Sequence, residues 1–116
     1  MATACGGHDQ RLQQHDQKLE SLAASTTAIG RAWLAGSTSG TYTITALEQT
    51  YALVEKERAA LAKTPDVLVD PRGAELSQTA ERLSRVLAAI RDEVRRSDAA
   101  AVRERLHDID GLTTER

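Results

Sequence analysis

Hydrophobic and polar positions along the chain open on a duplicated heptad, in which His8-Asp9-Gln10-Arg11-Leu12-Gln13-Gln14 is followed at once by His15-Asp16-Gln17-Lys18-Leu19-Glu20-Ser21. The spacing carries on through Leu22, Thr26, Ile29 and Trp33, so positions 8, 12, 15, 19, 22, 26, 29 and 33 step alternately by four and three. Such steps lay one apolar stripe along a helix, as in the seam of a coiled coil. The stripe predicts a first helix over 8–35, which must find a partner surface within the chain or on another copy. The small polar cluster Gly36-Ser37-Thr38-Ser39-Gly40-Thr41 breaks it. A second helix is predicted over 42–63, with Ile44, Leu47, Tyr51, Val54 and Leu61 on one face, joined by Ala46, Leu53 and Ala60 beside them. Thr45-x-x-Glu48 reads as its capping box, with Thr41 or Thr43 as other cap candidates.

Pro65 and Pro71 forbid a continuous helix between Thr64 and Arg72, and Val67, Leu68 and Val69 are expected to plug the end of a bundle there. A third helix is predicted over 71–96. Asp70 can cap its free N–H groups, and Pro71 sits at the first helical position, where its missing donor costs nothing. Leu76, Ala80, Leu83, Leu87, Ile90 and Val94 repeat the four-three spacing. Glu81 with Arg85 and Asp92 with Arg96 mark the solvated side of the same helix. At Ser97-Asp98 the phase slips, because Val102, Leu106 and Ile109 do not continue it. Asp98 therefore caps a shorter fourth helix over 98–110, ending near Gly111.

Three long helices with short connections and a shorter fourth predict an all-α, antiparallel up-and-down bundle with a heptad-patterned N-terminal helix. Residues 1–7 are expected to form a flexible N-terminus and 8–116 a single domain. Leu22, Ile29, Leu47, Val54, Leu83, Leu87 and Ile90 are expected in its core. The fourth helix is too short to cover the whole first one, so the first two heptads are expected to protrude. Leu12, His15 and Leu19 are then candidates for contact with another copy.

Composition narrows the chemistry. Aromatics make up 3% of the 116 residues and Phe is absent, so small and aliphatic side chains must close the interior. The formal net charge is -2, with bases interleaved among acids, which gives no general attraction for nucleic acid. No run of eighteen apolar residues is present to form a transmembrane segment. His8 and His15 are separated by about 10.5 Å of helical rise, too far to share a metal ion. Glu104-x-x-His107 has the spacing used in carboxylate-bridged di-iron bundles, but no second Glu-x-x-His exists. The single Met is Met1, so haem ligation would need His15 and His107 to meet across the core. A metal- or haem-binding bundle is accordingly the third reading, and no cofactor is expected. Cys5 and the Ser and Thr residues lack a His and an acid at a recognisable catalytic spacing, and the glycines form no phosphate-binding loop. A non-enzymatic protein is expected. Trp33 and Tyr42 flank the first turn, where they either pack over the end of the bundle or form a partner-contact edge.

The segment Ala2-Thr3-Ala4-Cys5-Gly6 resembles the processing site of bacterial lipoproteins. That resemblance implies a lipidated Cys5, attachment to a membrane through the lipid alone, and a place in the cell envelope or periplasm, with the heptads as a spacer. The leading expectation is thus a structural or protein-interaction module, which the resemblance would make such a lipoprotein. The alternative is a cytoplasmic adaptor or subunit that self-associates through helix 1.

Overall fold

A computed structural model describes the backbone of residues 2–64 and 69–114 and the side chains of 10–64 and 69–112. It contains helices α1 (Ala2–Leu34), α2 (Gly40–Ala62), α3 (Pro71–Arg95) and α4 (Ala99–Thr114), with no strand among the described residues. They form an all-α antiparallel bundle of 54 × 23 × 19 Å. The 33 residues of α1 account for that length, at about 1.5 Å of rise each. α1 begins six residues before the predicted start, so the segment expected to be a flexible lead continues the helix through Gly6 and Gly7.

The helix ends follow from local chemistry. α1 stops at Gly36, whose φ of 75° is readily adopted only without a Cβ; Ser37 N–H donates to Ala32 O and Gly36 N–H to Trp33 O, the two bonds of a Schellman motif. Ser39, and not Thr41, Thr43 or Thr45, caps α2 by accepting from Tyr42 N–H at 3.1 Å. Thr45 instead donates back to Thr41 O within the helix. Asp70 caps α3 through Arg72 N–H at 2.8 Å, with Pro71 opening the helix as expected. The α3–α4 joint repeats the Schellman motif with Ser97 at φ 57°, and its outer residue, Asp98, accepts from Ala101 N–H to cap α4. One residue closes α3 and starts α4, which explains the phase slip there. Val69 is 83% exposed and plugs nothing; Val67 and Leu68 lie outside the described residues.

α1 and α3 touch each other and both remaining helices, while α2 and α4 lie on opposite sides of that pair. α4 reaches only part of the way along the bundle. Beside it, four helices enclose a cluster that includes Leu47, Val54, Leu83, Leu87, Ile90, Val102 and Ile109. Beyond it, α1, α2 and α3 alone enclose Leu12, Leu19, Leu61, Leu76 and Ala80. Leu12 and Leu19 are only 4% and 1% exposed, so the early heptads do not protrude as expected. Three helices suffice to cover them.

The buried stripe of α1 is Leu12, Leu19, Ala23, Thr26 and Gly30, with Leu22, Ile29 and Trp33 half-buried on its flank. A straight helix repeats every 3.6 residues and a strict heptad seam every 3.5, so the stripe drifts off the heptad positions as α1 rises. Gly30 joins it because a Cβ there would lie 2.9 Å from Leu106 Cδ2. On α2 the buried row is Thr43, Leu47, Thr50, Val54, Glu57 and Leu61, leaving Ile44 half-buried and Tyr51 exposed. Thr43 and Thr50 enter the core with their hydroxyls bonded to Ser39 O and Ala46 O.

Truncating Leu19 to Ala should destabilise the protein by about 2–5 kcal/mol, as for an interior leucine; a change under about 0.5 kcal/mol in chemical denaturation would place that residue on a surface. Ser97→Gly should stabilise by roughly 0.5–1 kcal/mol, since relief of the left-handed strain exceeds the added unfolded-state entropy. The same denaturation curves measure it.

Candidate functional site

The antiparallel α1–α2 pair presents two heptad-spaced rows to each other. α1 contributes His15, Leu22 and Ile29, continued by Trp33; α2 contributes Ala60, Leu53 and Ala46, continued by Tyr42. Two contacts set the register. His15 Nδ1 is hydrogen-bonded to Glu57 Oε1, and Leu22 shares with Leu53 a cleft of about 340 Å³ whose other walls are Lys18, Ser21, Lys56, Glu57 and Ala60. Heptad spacing puts Ile29 of α1 and Ala46 of α2 on the same flanks as Leu22 and Leu53. Leu22, Ile29 and Trp33 rest on the main core cluster and form a half-buried floor. Leu53 stands beside Leu22 at 53% exposed, and Tyr42, in the first turn of α2, is 64% exposed. Only α1 and α2 line the cleft, so its outer side is an open apolar groove.

The groove is anchored at one end by a buried acid. Glu57 is 6% exposed, and α1 supplies both of its neighbours: the His15 imidazole, and the Lys18 ammonium at 4.0 Å from Oε2. Each other sequential helix pair has a comparable polar contact. Ser84 of α3 donates to Glu55 of α2, which also accepts from Arg58 at 2.8 and 3.1 Å. The Ser84 bond first, and then Arg58, hold the Glu55 carboxyl below its usual range. Arg105 of α4 donates to the buried Glu93 of α3 at 3.1 Å, and the Glu93 charge keeps its guanidinium more firmly protonated.

The residues singled out from sequence are dispersed. Leu12 and Leu19 belong to the interior and offer no exposed edge to a second chain, which corrects their assignment as oligomer contacts. His15 lies at the groove end, largely buried and engaged with Glu57. Trp33 packs on the core, whereas Tyr42 is exposed and does not close the bundle end. The side chains of Cys5 and His8 lie outside the described residues. His107 and Glu104 are both exposed; His107 faces an open cleft between α3 and α4 with Arg82 and Arg85, so it does not meet His15 across the core. Ala46, Leu53 and Ala60 are legible in the sequence as apolar positions beside the main face of helix 2, whereas Lys56 and Glu57 carry no such signal.

His15→Leu leaves the Glu57 carboxylate buried with Lys18 as its remaining neighbour and should cost about 1–3 kcal/mol. Adding Glu57→Leu removes the stranded charge, so the double variant should be more stable than His15→Leu alone. Thermal melts of the two proteins check the order.

Compared with known proteins, the chain matches no family model, no curated sequence and no solved structure at a significant level.

Proposed function

We propose that the chain is a non-enzymatic protein-interaction module whose contact face is the outer α1–α2 groove. The observation that carries this reading is Leu53, the only exposed leucine among the described residues, set directly over the half-buried Leu22. A scattered apolar side chain on a surface needs no explanation, but one continuous with an apolar floor marks a face that gains free energy when covered. Burying one leucine contributes about 1.5–3 kcal/mol. Tyr42 adds a second exposed anchor on the same flank of α2, of the residue type enriched at contact centres. Self-association through the first heptads draws no support from Leu12 and Leu19, which are used inside the fold. The resemblance at Ala2-Thr3-Ala4-Cys5-Gly6 would add a lipid anchor to the same module and leave the groove's role unchanged.

A photo-crosslinking residue placed at position 53 should give specific protein adducts in cells, while the same residue at the exposed Arg103 of α4 should give none. Adducts from neither site, or equally from both, would remove the groove from consideration. Leu53→Glu should leave the melting curve within about 0.5 kcal/mol of the parent, since the side chain is half in solvent.

A further inference from the structure

The charges of α1 and α2 are sorted around the groove. Arg11 and Lys18, seven apart on α1, and Lys56 and Lys63, seven apart on α2 and its C-cap, are all exposed on the groove-facing flanks. The acids of the same helices lie elsewhere. Glu57 is buried beneath the groove with His15, Glu48 and Glu55 turn to Arg91, Arg95 and Ser84 of α3, and Glu20 lines the cleft toward α4. Asp16, four residues before Glu20, shares its flank of α1. Among the described residues, then, the one carboxylate that lines the groove is Glu57, which is buried and engaged by His15 and Lys18, although the chain as a whole carries a formal charge of -2. Lys56 and Lys63 make no ion pair with any described residue.

We propose that the groove receives an amphipathic helix with acidic flanks, a proposal that rests on the interaction-module reading above. The floor offers apolar positions at heptad spacing, which an antiparallel or parallel helix meets with residues at i, i+3, i+4 and i+7. The groove's lining from Leu53 to Ala60 spans about 10 Å of helix, or two turns of an occupant. Carboxylates flanking the apolar stripe of that helix reach the Lys18 and Lys56 rims, as flanking charges do across coiled-coil seams. A second copy is disfavoured, because pairing this groove with itself sets basic rims against basic rims. A bilayer is disfavoured by shape: Leu22, Ile29 and Trp33 are recessed between two helices, and a flat surface does not reach them.

The test uses the full chain and two synthetic amphipathic helices with the same leucine stripe, one flanked by Glu and one by Lys, followed by peptide anisotropy and by the emission of Trp33, further along α1. The Glu-flanked helix should bind about tenfold or more tightly than the Lys-flanked one, and binding should weaken as salt rises from about 0.05 to about 0.5 M. Lys56→Glu with Lys63→Glu should reverse the preference, and Leu53→Glu should weaken both helices about tenfold, with circular dichroism confirming that each variant is folded. Equal binding of the two helices would overturn the acidic occupant while leaving the interaction module standing. Binding of neither helix, with no specific adducts from the crosslinker at position 53, would overturn both. Association with anionic phosphatidylglycerol vesicles in place of either peptide, or a sedimenting dimer abolished by Leu53→Glu, would replace the acidic helix with a membrane or a second copy.

Discussion

An interior without phenylalanine can be filled only if its helices come close, and closeness is the constraint on which the rest of this bundle depends. The chain meets it by placing its smallest residues where helices press together. Gly30 admits the Leu106 side chain of α4, and Ala23 and Ala80 lie fully within the two leucine-rich clusters. Gly73 is likewise buried, in the first turn of α3. A larger residue at such a point forces a neighbour off its rotamer, so these positions tolerate little growth.

Close packing of leucines does not by itself choose a register, because apolar attraction has no direction. Polar contacts supply the choice. His15 with Glu57, Ser84 with Glu55, and Arg105 with Glu93 give one directional link for each sequential pair of helices. Sliding a helix by a turn separates these partners and leaves Glu57 or Glu93, both buried, with an uncompensated charge. The groove inherits its geometry from the first of these links. His15 and Glu57 hold the α1 and α2 rows in step, which sets Leu22 beside Leu53.

The helices and most of their boundaries were legible in the sequence, because proline, capping aspartates and Gly36 act locally, whereas Gly6, Gly7 and Gly111 lie inside helices and end nothing. Asp70-Pro71 and Asp98 performed as read, and α3, whose buried row is almost wholly aliphatic, showed its face plainly. Faces were harder where the core took polar residues. Thr43, Thr50 and Glu57 occupy heptad-spaced core positions of α2, while the apolar Tyr51 and Leu53 beside them are exposed. The groove was illegible for a related reason. Its floor residues Leu22 and Ile29 read as seam positions from periodicity, and only the drift of a straight helix shows them to be half-covered. Pairing of His15 with Glu57, 42 residues apart, depends on tertiary register that no local pattern encodes.

The short reach of α4 gives the bundle two interiors of unequal construction, one closed by four helices and the other by three. Cooperative units in proteins follow such divisions, and the unit with fewer walls opens at lower free energy. The three-walled end holds the first heptads of α1, the last turns of α2 and the start of α3. Its amides are therefore expected to exchange with solvent through partial openings that leave Leu87, Ile90 and Val102 protected, which would make the end bearing His15 and Glu57 the adaptable one.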